Sequence, residues 1–103
     1  VWMQRQLVGF LGIQTVLDEA TITNIVIAKD YQGKGLAQRL WQMALYDLKQ
    51  KDVKVVFLEV RQSNKRAQYL YEILGFEAFH TRRDYYSDPV EDAIEYRLEI
   101  EQR

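Results

Sequence analysis

The run VKVVFLEV at positions 53–60 constrains this chain more than any other segment. It is nearly all apolar on both alternating faces, so a strand built from it needs cover on both sides, as a central parallel strand between helices has. The flanking sequence supplies candidate covers. Before the run, Leu36, Ala37, Leu40, Trp41, Ala44, Leu45 and Leu48 form one broad stripe of an amphipathic helix that reaches Gln50. After it, Ser63 and Asn64 offer N-cap oxygens, Ala67, Leu70, Tyr71 and Leu74 recur at helical spacing, and Gly75 stands where a left-handed residue ends a helix.

The outer segments read as strands. Residues 7–16 and 21–28 are rich in Val, Ile, Leu and Thr and are separated by LDEA, which predicts an antiparallel hairpin. FEAFHTRRDYY and EDAIEYRLEI predict a closing antiparallel pair around Pro89, the one proline. The order strand, strand, helix, strand, helix, strand, strand predicts an α/β (α+β) fold. Its sheet is mixed and mostly antiparallel, with a central parallel pair where a helix crosses over, flanked by helices. Ligands of such sheets collect at the carboxyl ends of the central strands.

Composition narrows the function. Of 103 residues, 48% are hydrophobic, enough for the core of a single domain spanning 1–103. Fourteen Lys and Arg against fifteen Asp and Glu leave no basic field for phosphates, so no nucleic-acid partner is expected. No apolar run approaches the thickness of a bilayer, and no membrane association is expected. Cysteine is absent, which fits a reducing compartment, and a cytoplasmic location is expected. His80, the one histidine, has no Cys or second His beside it, so no metal site is expected.

Between the strand ending near Ala28 and the helix opening at Leu36 lies KDYQGKG, with Gly33 and Gly35 two apart. Unpaired N–H groups and the positive end of the helix dipole point out of such a turn together, which makes it a candidate anion site. Leu36 replaces the Ser or Thr of a P-loop, and Leu36, Ala37 and Gln38 do not complete a dinucleotide fingerprint. Two glycines alone are more simply explained by the geometry of an ordinary strand-to-helix turn.

The segment QGKGLA, Gln32 to Ala37, resembles the Q/R-x-x-G-x-G/A signature of the GNAT family of N-acetyltransferases. VLDEATITNIVIAKDYQGKGLAQRL, FLEVRQSNKRAQYLYEILGF and TRRDYY resemble most closely the RimI-type members, which acetylate the N-terminal alanine of a small-subunit ribosomal protein. The likeness covers 7–100 and lacks the family's first strand and first two helices. With Val1 opening inside an apparent strand, the chain is expected to be the later part of a longer domain.

The resemblance implies acetyl-coenzyme A as acyl donor and a protein or peptide N-terminus as acceptor. Backbone groups of Gln32, Gly33, Lys34, Gly35, Leu36, Ala37 and Gln38 would bind the pyrophosphate. Those of Ile25, Val26 and Ile27 would bind the pantetheine arm, in a gap where their strand parts from its parallel neighbour, with Asn64 also touching that arm.

Acyl transfer to an amine needs a group to take the amine's proton and one to protonate the leaving thiolate. Glu59, a carboxylate at the end of the most apolar strand, asks for a reason, and the resemblance makes it the general base. An ion pair with Arg61 or Arg97 is the plainer reading. Tyr71, on the apolar face with Ala67, Leu70 and Leu74, reads first as a core aromatic, and the resemblance makes it the general acid that protonates the coenzyme A sulfur. A small-amine or lysine acetyltransferase and a non-catalytic acyl-coenzyme A-binding module remain open alternatives.

Overall fold

In the computed structural model, the described residues are 9–28, 31–33 and 35–101, with the backbone of 2–3 and 6–7. The elements are β1 (Trp2–Met3), β2 (Gln6–Leu7), β3 (Gly9–Val16), β4 (Glu19–Ile27), α1 (Leu36–Gln50), β5 (Val55–Arg61), α2 (Lys65–Ile73), β6 (Glu77–Tyr86) and β7 (Glu91–Glu99). β1 and β2 pair as a small ribbon, and of the strand expected over 7–16 the described part in the large sheet is Gly9–Val16. The remaining strands form one sheet in the order β3-β4-β5-β7-β6. Only β4 and β5 run parallel, joined through α1. β7 enters between β5 and β6, a placement that element order does not dictate.

The first hairpin turns more tightly than LDEA suggests. Glu19 and Ala20 already pair with Val16 and Thr15, and Leu17 adopts a φ of 56° to close the turn. Ala20 is buried, so extending the ladder also places a core side chain. The Asp18 carbonyl accepts from the Lys54 N–H at 2.7 Å, fixing this turn against the start of β5.

α1 spans the predicted residues because its apolar stripe buries Leu36, Leu40, Trp41 and Leu48. It ends at Lys51, and Asp52 (φ 60°) takes the left-handed position that glycine usually fills. α2 begins at Asn64, whose Oδ1 accepts from the Ala67 N–H at 3.1 Å, and ends before Gly75, at φ 102°.

One core holds the domain. Val56, Leu58 and Val60 of β5 meet Ala20 and Ile22 of β4, Trp41 and Leu48 of α1, Tyr71 of α2, and Tyr96 of β7. Phe76 joins the helices, its ring 5.2 Å from that of Trp41 and 6.0 Å from that of Tyr71. Both helices therefore cover the same face of the sheet. The expectation of a helix on each side of β5 is corrected: Val55, Phe57, Glu59 and Arg61 lie half-buried on a face that neither helix covers. Their partial cover comes from within the sheet, where Phe79 of β6 reaches across β7 to Phe57 at 6.0 Å between ring centres and Arg97 of β7 lies 5.2 Å over Phe79.

Candidate functional site

The parallel ladder is short. Glu19, Ala20 and Thr21 pair with Val55, Val56 and Phe57, and then β4 and β5 part. Beyond that point Thr23 is an extra residue in β4, since Ile13 faces Ile22 while Gly12 faces Asn24. The bulge resets the alternation, so Ile22 and Ile25 both turn toward the helices. β4 thereafter follows β3, and a gap opens between the parallel strands at their carboxyl ends.

A groove of about 660 Å³ occupies the helix side of this gap. Ile25 and Ile27 form its floor, the turn residues Tyr31, Gln32 and Gly33 and the first residues of α1 one wall, and Asn64, Arg66, Ala67, Leu70 and Tyr71 the other. Its size is that of a small-molecule site.

The turn presents backbone rather than side chains. Gly33 and Gly35 adopt φ of 77° and 74°, where a side chain is strained. Nothing lies within 4 Å of the place a Cβ on Gly33 would occupy, so the space above that backbone is open. Gly35 is the N-cap of α1, with no side-chain hydrogen bond capping the helix and no acidic residue in its first turn. The first N–H groups of α1 thus face the groove with the positive end of the dipole uncompensated.

Ten of the site residues expected from sequence line this groove: Ile25, Ile27, Gln32, Gly33, Gly35, Leu36, Ala37, Gln38, Asn64 and Tyr71. Lys34 lies outside the described residues. The Val26 side chain is 46% exposed and does not line the groove, because the alternation set by the bulge turns it from Ile25 and Ile27. Gln32 acts as a strut: its Nε2 donates to the Ile27 carbonyl at 3.1 Å, and its Oε1 accepts from Arg66 Nη2 at 3.1 Å. Arg66 is the feature that sequence reading missed. It places a cation across the groove from the turn, and its position in the first turn of α2, two residues after the Asn64 cap, is the signal that pointed there.

Glu59 and Tyr71 are on opposite sides of the sheet. Tyr71 projects from α2 into the core, 7% exposed, and burial, followed by the neighbouring Tyr86, pushes its hydroxyl pKa up. It therefore holds its proton through neutral pH. Glu59 stands on the uncovered face, two residues past the last β4–β5 pair, at the margin of the gap. Neither arginine considered as its partner takes it. Arg61 pairs with Glu91 at 3.2 Å and lies 4.3 Å over the Tyr86 ring, and Arg97 lies over Phe79. Among the described residues Glu59 has no ion pair, and its Oε2 is buried without a hydrogen-bond partner. Tyr85 approaches the same carboxylate, whose hydrogen bond and charge raise the Tyr85 pKa. A buried carboxylate oxygen without a partner is rare and calls for an explanation.

The sequence profile of the acetyltransferase (GNAT) family matches residues 1–76. The chain belongs to the GNAT family. It is 46% identical over 85 residues to the [ribosomal protein bS18]-alanine N-acetyltransferase of Haemophilus influenzae, covering 82% of this chain and 58% of that protein. To the enzyme of the same name from Escherichia coli it is 43% identical over 97 residues, 92% of this chain and 66% of the relative. The crystal structure of the Escherichia coli ribosomal-protein-S18-alanine N-acetyltransferase superposes with a TM-score of 0.88 at 40% identity, over 99% of this chain and 67% of that one. A GNAT family acetyltransferase from Elizabethkingia anophelis, solved with acetyl-CoA bound, shares the fold at a TM-score of 0.87 and 21% identity, over 96% of this chain and 72% of that one. The chain thus spans 58% and 66% of the two curated relatives.

Among the described residues, no helix is long and apolar enough to cross a membrane. No three His, Cys, Asp or Glu gather there as a metal site would require.

Proposed function

We propose that this chain carries the donor-binding and catalytic part of an acetyl-coenzyme A-dependent N-acetyltransferase, acting in the cytoplasm on the N-terminal alanine of small-subunit ribosomal protein 18. The observation that carries the reading is the gap between β4 and β5. It joins a groove walled by the uncapped N-terminus of α1 to the face that bears Glu59. The names and identities of the curated relatives supply the acceptor.

Acetyl-coenzyme A brings the activated acetyl group. Its pyrophosphate fits the backbone donors of Gly33 and of Gly35 to Gln38, with Arg66 opposite. The edge of β4 that faces the gap along Ile25, Val26 and Ile27 has no strand partner there and offers the pantetheine arm hydrogen bonds like those of a missing strand, and Asn64 adds an amide while it caps α2. Glu59 takes the proton of the acceptor amine, through water. An α-amino group titrates near 8, so it needs only mild help to react as the free amine. Tyr71, protonated through neutral pH, gives its proton to the departing sulfur.

Calorimetric titration with acetyl-coenzyme A tests the groove. The chain binds, and Gly35→Val weakens binding at least about tenfold by filling the turn and straining its φ of 74°. Binding indifferent to that substitution removes the turn from the site. A panel of acceptors tests the rest. N-terminal alanine peptides are acetylated in preference to internal lysines and polyamines, and equal use of all three would refute the acceptor. Tyr71→Phe lowers turnover and leaves donor affinity unchanged, and wild-type turnover in that variant would take the acid role from Tyr71.

A further inference from the structure

The uncovered face of the sheet holds an ionic arrangement that the reaction so far does not use. Glu59 on β5 and Glu95 on β7 are direct partners across the antiparallel ladder. Their side chains leave the same face with Cβ atoms about 5 Å apart. Two carboxylates so close repel unless a cation stands between or beside them.

The surroundings answer the two charges unequally. Arg82 of β6 donates through Nε to Glu95 Oε1 at 2.8 Å, and His80 Nε2 lies 4.0 Å from the same oxygen. The Glu95 side chain is only 13% exposed. Glu59 has no such cation, and its Oε2 is open. The other charged or titratable groups that the register and contacts place on this face are Glu77, Tyr85 and Tyr86 of β6, Arg61 of β5, Glu91, Arg97 and Glu99 of β7, and Glu19 at the near end of β4. Arg61 is held by Glu91 and Tyr86, and Arg97 lies over Phe79. Arg82 is the cation that feels both carboxylates. Its hydrogen bond to Glu95, the charge of Glu95 and then the charge of Glu59 all raise its pKa.

We propose that Arg82 is a positioning residue: clamped on Glu95, it neutralises the second carboxylate of this face and leaves Glu59 ionised, with one oxygen unpaired, to receive the proton of an acceptor amine. The proposal rests on the assignment of Glu59 as base. Without Arg82, the Glu95 charge falls on Glu59 unopposed, and Glu59 holds a proton more tightly. Without Glu95, Arg82 is released toward Glu59, which then holds a proton less tightly and is a weaker acceptor.

Carbon-13 NMR of the glutamate side-chain carboxyls in the ligand-free full chain measures this directly. The kcat/KM pH profile with an N-terminal alanine peptide is recorded beside it. In Arg82→Met the Glu59 titration midpoint rises by about one pH unit, in Glu95→Gln it falls by about as much, and in the double variant it returns near the wild-type position, the acid limb of kcat/KM following each time. Unmoved midpoints, or shifts of one sign in both single variants, overturn the proposal. If Arg82→Met fails to fold, Arg82→Gln takes its place: an upward shift supports the clamp and no shift refutes it. Lost turnover in Glu59→Gln with unmoved midpoints overturns the clamp and leaves the base assignment standing. Unchanged turnover in Glu59→Gln overturns both the base assignment and the role given to Arg82.

Discussion

Leu58 and Glu59 are neighbours in the chain, yet they belong to different regions of the molecule. Leu58 faces the helices, is 1% exposed, and packs in the core beside the groove. Glu59 faces away from both helices, among aromatic rings and paired charges. The helix side offers a donor molecule mostly backbone: glycine turns, an uncapped helix end and unpaired strand edges. The uncovered side offers side chains with charges. A single strand thus divides the work. One face is built for shape and tolerates little change in volume, and the other is built for charge and tolerates little change in ionisation.

The sharpest way to break this comparison is to exchange the expectations of the two neighbours. Glu59→Gln lowers turnover by about 10²- to 10⁴-fold, the range for a general base, and leaves the melting temperature near the wild-type value. Leu58→Ala removes about 2–5 kcal/mol of unfolding free energy, read from denaturant titration, through lost transfer and the cavity left behind. If Glu59→Gln unfolds the chain, or Leu58→Ala leaves its stability intact, the two faces are not divided as described.

Smaller effects sharpen the picture. Asn64 both caps α2 and lines the groove, so Asn64→Ala costs about 1 kcal/mol of stability and also weakens acetyl-coenzyme A binding. A stability loss with unchanged binding confines Asn64 to its cap. On the uncovered side, hydrogen bonds from Ser63, and after them Arg61, hold Glu91 below the usual carboxylate range. A lowered carboxyl pKa contributes stability above the unfolded value and loses it as pH falls through the folded one. Glu91→Gln therefore lowers stability at neutral pH and flattens the acid end of the stability curve, as denaturant titrations at a series of pH values would read. On the helix side, Tyr96 is buried and donates to Glu72 at 3.1 Å; burial first, then that bond, push its pKa from 10.0 to about 12. A raised pKa contributes stability below the unfolded value and loses it as pH climbs toward the folded one. Stability therefore falls between about pH 10 and 12, and Tyr96→Phe removes that alkaline dependence.

Much was legible in the sequence because it is local. The stripe from Leu36 to Leu48 delimits α1, Asn64 and Gly75 bracket α2, and QGKGLA marks a turn whose glycines take positive φ. Each depends on the spacing of residues within one element, or on a backbone angle that one residue type adopts without strain. Tertiary structure alone decided the rest. The Thr23 bulge, the entry of β7 between β5 and β6, and both helices on one face are matters of pairing between distant segments. So is Glu59 opposite Glu95, 36 positions away, with Arg82 brought from a third strand. Register across a sheet is fixed by total burial and ladder hydrogen bonds, and no short stretch of sequence carries either sum.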